Sequence, residues 1–312
     1  MSVRRGLSPE AYRRITAVAL AALAVIIVSG AAVRLTGSGL GCTDWPNCRQ
    51  GKLVADLDYH PMIEFVNRVF TGVVSFAVIL AVAGSRWRRP RRVDLTWWSF
   101  GLVGGVLGQI ILGGLVVLFE LSPWLVIGHF LLSMVLVWNA VVLHHRASLD
   151  TNERGRDRIE PPEISPCVAA LGRVWFLLSI AVIFTGTIVT GSGPHGGDER
   201  VARLPMLFKS AARLHGTTVM VFLACTLLLI GLLRRTRAPR YVQIAAWQAL
   251  GVLVVQATIG YVQYFTKVPV VLVGFHIAGA TLLWIAVVRF ALSTRRTTAT
   301  GRAAREPHMV GA

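Results

Sequence analysis

Charge is scarce in this chain. Only 15% of its 312 residues are charged, 54% are hydrophobic, and the mean hydropathy is +0.61, a balance that excludes an ordinary soluble domain. Acidic residues are scarcer still, 15 Asp and Glu against 32 Lys and Arg. Segments alternating apolar and polar residues are missing, which argues against a membrane β-barrel. Long apolar runs are plentiful instead, near 15–33, 65–84, 97–119, 124–143, 170–190, 212–233, 242–264 and 271–293. Each approaches or exceeds the roughly 20 residues a helix needs to cross a hydrocarbon layer of about 30 Å. Backbone polar groups find no water in lipid, so the runs must be helical. The expected fold is an all-α integral membrane protein, with eight transmembrane helices arranged as two pseudo-symmetric four-helix bundles.

The formal net charge of +17 invites a nucleic-acid reading, but its distribution argues against one. Arginines gather in alternate connections: Arg4, Arg5, Arg13 and Arg14, then Arg86 to Arg92, Arg146 to Arg158, Arg234 to Arg240, and the tail from Arg295. That is the positive-inside pattern of a protein whose partner is membrane lipid. It predicts a multi-pass protein of the cell membrane with both termini cytoplasmic and with 34–64, 120–123, 191–211 and 265–270 facing outward. The first apolar run follows a basic start but lacks a persuasive cleavage site, so it reads as a retained helix. The polar stretch 144–166 reads as a cytoplasmic linker between a first half, 1–143, and a second, 167–294, followed by a tail, 295–312. Each half has an even number of crossings, which sets the pseudo-twofold axis along the membrane normal.

The halves repeat each other. Gln109, Gly113 and His129 recur 147 residues later as Gln256, Gly260 and His276, and His215 has its counterpart 148 residues earlier at Asn67. His129, His215 and His276 fall near the outward ends of apolar helices, where an ionisable group is costly and is a functional candidate by default. His215 and His276 share a half. Facing each other across the bundle, they would supply both axial ligands of a heme b, leaving its iron six-coordinate and suited to electron transfer. Zinc fits less well, because no carboxylate or thiol lies near either histidine in sequence. In the first half, His129 faces Asn67, a poor iron ligand, so an iron there has one strong protein ligand. Glu64 lies three residues before Asn67, on the same helix face. It is a candidate for proton exchange or for stabilising positive charge, the alternative being a solvated acid at a helix start.

Cys42 and Cys48 bracket a proline-containing turn in the first outward loop, where disulfides persist. They read either as a structural staple or as a redox pair. Cys167 and Cys225 read as inert, and the matching second-half loop carries no cysteine. Arg34, Arg68 and Arg213, near the outward surface, are candidate partners for heme propionates, with interfacial snorkelling as the alternative.

Taken together, the runs Thr36-Gly-Ser-Gly-Leu-Gly-Cys-Thr-Asp-Trp-Pro-Asn-Cys48, Ile63-Glu-Phe-Val-Asn-Arg68, Gly128-His-Phe, Arg213-Leu-His-Gly and Gly274-Phe-His resemble the heme A synthase family over nearly the whole length. The resemblance implies a heme b held by His215 and His276, and a heme O substrate in the first half with His129 on its iron. It implies a catalytic glutamate at Glu64 and a functional outward cysteine pair. The implied reaction is stepwise oxidation of a porphyrin methyl to a formyl group, with electrons passing to an unidentified acceptor. Heme O synthase and oxidase assembly factors are the further partners it suggests. The family motif carries histidine where this chain has Asn67, and some members carry cysteines in the second large outward loop. Rival readings are a b-type cytochrome that only carries electrons, a quinone-linked thiol oxidoreductase built on Cys42 and Cys48, and a transporter.

Overall fold

The computed structural model describes residues 6–152, 164–199 and 201–294. Among them run eight helices and no strand: α1 Pro9–Leu35, α2 Tyr59–Trp87, α3 Val93–Leu118, α4 Pro123–Asn152, α5 Pro166–Ser192, α6 Phe208–Arg235, α7 Arg240–Phe265 and α8 Val270–Ser293. All eight are long and apolar enough to cross a membrane. The protein is therefore an integral, multi-pass membrane protein.

The helices outrun the apolar windows because backbone hydrogen bonding continues where the side chains turn polar. α1 starts at a capped end, with the Ser8 hydroxyl accepting from the Ala11 N–H at 3.2 Å and Pro9 in the first turn, a position where proline loses nothing. α4 continues past 143 into the stretch assigned to the linker. The Arg146 guanidinium donates to Asp94 at 3.1 Å, and Asp94 is also held by Arg92. His144 belongs to this helix, its Nδ1 lying 3.0 Å from Thr16 Oγ1. The remainder of the expected linker, 153–163, and the tail, 295–312, lie outside the described residues.

The sequence repeat is a backbone repeat. The turn from α3 to α4 places Glu120 and Leu121 at positive φ, and the turn from α7 to α8 does the same with Lys267 and Val268, each 147 residues on. The hydrogen bonds match as well. Leu121 N–H donates to Val116 O and Val268 N–H to Gln263 O, both at 2.8 Å. Consecutive left-handed non-glycine residues cost about 1–2 kcal/mol each, so their recurrence in register marks a shared architecture.

Within each half, successive helices pack as neighbours, and α4 and α1 meet α8 across the halves. The second-half core centres on Trp175, fully buried, stacked on Phe222 at 5.4 Å and edge-on to Phe290 at 5.0 Å. Its indole N–H donates to Thr226 at 2.7 Å. Trp284 on α8 fastens the halves together by donating to the Met134 carbonyl of α4 at 2.8 Å. At the outer end, Gly39 N–H donates to Gly197 O at 3.0 Å and Arg34 to Thr190 O at 2.7 Å. Val73, Phe76, Ile111, Leu177, Leu228, Val255 and Leu282 are exposed, as lipid-facing side chains of a membrane bundle should be.

Candidate functional site

In the second half, α6 and α8 bring the rings of His215 and His276 together with centroids 6.4 Å apart and planes nearly perpendicular, at 82°. A five-membered ring of bonds near 1.33 Å puts its nitrogen about 1.1 Å from the centroid, and a metal–imidazole bond is about 2 Å. One metal ion between two facing rings therefore needs about 6.3 Å, the spacing present here. Among the described residues no three His, Cys, Asp or Glu side chains cluster for a metal, so an ion at this pair must bring its other ligands with it. Iron porphyrin brings four.

The surrounding residues set the ring chemistry. Thr185 Oγ1 donates to the helix carbonyl of Ala181 at 2.9 Å and lies 3.1 Å from His215 Nδ1. A hydroxyl has one proton, so Thr185 accepts from Nδ1–H, and the lone pair of the neutral ring is left on Nε2. Gly186 makes room: a methyl there would stand 3.3 Å from His215 Cε1. Gly260 does the same for His276, at 3.1 Å, and Gln256 Nε2 donates to the His276 carbonyl at 2.8 Å.

The first half repeats this frame around His129. Gln109 Nε2 donates to the His129 carbonyl at 3.1 Å, and a methyl on Gly113 would lie 3.3 Å from its Cε1. On α2, Asn67 Oδ1 accepts from Ser29 Oγ at 2.8 Å. One turn earlier, Glu64 is buried, 5% exposed, and not the solvated helix-start acid of the alternative reading. Its Oε2 accepts from Cys42 N–H at 2.8 Å, and its Oε1 accepts from Arg68 Nη2 at 2.5 Å and Nε at 3.1 Å.

Cys42 and Cys48 form a disulfide, and the loop it closes is joined to the same arginine. Arg68 Nη1 donates to the carbonyls of Asp44 and Asn47, at 3.1 and 2.9 Å. Within that loop Trp45 lies on α3, where a methyl on Gly114 would stand 2.8 Å from its ring, beside the Gly113 that faces His129. Glu64, Arg68, the disulfide loop and the floor under His129 thus form one contiguous assembly.

Of the three expected propionate partners, Arg68 is engaged entirely with protein, Arg34 holds Thr190 O, and Arg213 is exposed. Sequence reasoning missed Arg203. With Lys209 and Lys267 it lines an outer cavity of about 710 Å³ that also includes Ser192, Phe208 and Tyr264. Desolvation by burial lowers the Arg203 pKa. Ser29 was missed as well, although it precedes a glycine near the outer end of α1, as Thr185 does in α5.

A duplicated four-helix unit that brings two imidazoles together in its second copy defines a polytopic membrane protein with a paired-histidine site. The chain belongs to the COX15-CtaA family of cytochrome oxidase assembly proteins, whose family model matches residues 13–58 and 54–194. It is similar to the heme A synthase of Shouchella clausii, 29% identical over 186 residues, which are 58% of this chain and 59% of that protein. It is also similar to the heme A synthases of Bacillus pumilus, 30% over 128 residues (40% and 41% of the two chains), and Lysinibacillus sphaericus, 28% over 113 (36% of each). The matched stretches thus span from about a third to three fifths of the lengths of these relatives.

Proposed function

We propose that this protein is a heme A synthase, oxidising a methyl substituent of heme O to a formyl group. The observation that carries the reading is the 6.4 Å spacing of His215 and His276, within a frame that recurs around His129. In this reading the first half is the substrate side and the second the cofactor side. His215 and His276 hold a heme b, which supplies one-electron carriage when bound. His129 ligates the iron of heme O. The family match and the heme A synthase relatives support the substrate assignment.

The chain's own residues orient and shield. Thr185 keeps His215 in the ligating tautomer. Glu64, anchored by Cys42 N–H and Arg68, presents a fixed carboxylate one turn from Asn67, where it takes up a proton or stabilises positive charge developing on the substrate. The disulfide loop acts as a staple: it supplies the Cys42 N–H and the two carbonyls that hold Arg68. The alternate arginine clusters support a topology with both termini in the cytoplasm and the histidine ends of the helices outward.

The test is co-expression with a heme O source, followed by extraction and chromatographic separation of the hemes. Heme A, formed only when the protein is present, is the expected product. An extract holding heme O and protoheme alone, from protein that carries both hemes, refutes the proposal and leaves the electron-carrier reading in its place.

A further inference from the structure

Four helix glycines lie beside the histidine positions of the two halves or beside their tethers. Three face an imidazole: Gly113 faces His129, Gly186 faces His215 and Gly260 faces His276, with 3.1–3.3 Å from an added methyl to the ring Cε1. The fourth is Gly30, which follows Ser29 as Gly186 follows Thr185. A methyl on Gly30 would meet nothing within 4 Å.

The side chain tethered to the residue before each of these two glycines differs. Asn67 is tethered through Oδ1 to the Ser29 hydroxyl at 2.8 Å, as His215 is tethered through Nδ1 to Thr185 at 3.1 Å. Asparagine matches histidine through Cγ and its two attached atoms, then stops. What it lacks are the counterparts of Cε1 and Nε2, the outer edge of the ring and its ligating atom. In the second half that edge is what Gly186 accommodates. The amide oxygen is engaged by Ser29, and a neutral amide is a poor ligand for iron compared with imidazole.

We infer that the first half holds an imidazole-sized space between Gly30 and Asn67, through which a small exogenous ligand binds the substrate iron opposite His129. The ligand class is a compact molecule donating a nitrogen or oxygen lone pair, and the Asn67 amide N–H groups are at hand for a second acceptor atom. The inference rests on the reading that His129 holds the iron of heme O. The chain has exchanged a fixed internal ligand for an exchangeable one on that face, while the cofactor site keeps both imidazoles.

The experiment titrates purified, detergent-solubilised protein loaded with heme O with imidazole, and separately with azide, and follows optical and electron paramagnetic resonance spectra. Wild type is expected to show a high-spin component that His129→Ala removes and that imidazole converts saturably to low spin. The His215/His276 component should stay unchanged. Asn67→His should be low-spin before any addition and unresponsive to imidazole up to about millimolar, because a tethered ligand acts at an effective concentration of about that order or above. Gly30→Leu should retain heme O but weaken the imidazole response about tenfold or more, since it fills the space without supplying a ligand. A His129-dependent component that is already low-spin and indifferent to imidazole in wild type overturns the inference and leaves the site assignment standing. So does an Asn67→His variant that titrates like wild type. Absence of any His129-dependent component overturns the site assignment and the inference together.

Discussion

Replacing Gly260 and Gly30 by alanine, one at a time, should give effects of opposite sign. Alanine in a helix interior is favoured over glycine by about 0.5–1 kcal/mol. At Gly30 the new methyl meets nothing within 4 Å, so the gain should survive as higher thermal stability. At Gly260 the methyl would sit 3.1 Å from His276 Cε1, against the usual 3.5–4.0 Å or so for carbon atoms in contact. The ring must retreat by about half an ångström. Metal sites tolerate errors of about 0.2 Å in ligand distance, and the two rings stand at the separation one ion requires. Overpacking of this kind costs about 1–3 kcal/mol, which corresponds to roughly 5- to 150-fold weaker heme retention if it falls on the bound state. The assay is pyridine-hemochrome heme content per protein after repeated detergent washing, beside thermal unfolding of the same samples. A Gly260→Ala protein that keeps its heme as firmly as wild type would refute the argument that this glycine shapes the ligand geometry.

Other outcomes follow from the same contacts. Thr185→Val keeps the shape of the side chain but removes the acceptor for His215 Nδ1–H; heme affinity should fall about 10- to 100-fold, read by heme loss during washing. His215→Ala and His276→Ala should each abolish the low-spin b-type signal in the reduced spectrum. Glu64→Gln should retain that signal and accumulate heme O or a hydroxylated product, seen on chromatography of extracted hemes. Arg68→Leu strands a buried carboxylate, and removing one partner of a buried pair costs about 3–5 kcal/mol. Because Arg68 is 22% exposed, the loss should fall at or below the lower end, measured as a drop in unfolding midpoint, and heme A output should fall with it.

Much of this was legible in the sequence because the repeat is exact where the backbone is most constrained. The 147-residue register joins Gln109, Gly113 and His129 to their counterparts, and the same register carries the left-handed turns at Glu120-Leu121 and Lys267-Val268. Helix ends were less legible. Hydropathy stops at the membrane interface, while α4 runs on to Asn152, its Arg146 paired with Asp94 of α3. The tether of Asn67 was invisible because Ser29 lies 38 residues away on another helix. Arg68 was open to better reading: it stands four residues after Glu64, the spacing at which a helix brings acid and base together.

The bonds that join the halves change what the duplication means. With Met134 bound to Trp284, Thr190 to Arg34 and Gly197 to Gly39, neither twin is a detachable module. On the proposed reading, the gap between the substrate side and the heme b side is therefore fixed within the chain and does not depend on chance encounter in the bilayer. Its length cannot drift without tearing the fastenings between α4 and α8 and those at the outer connections.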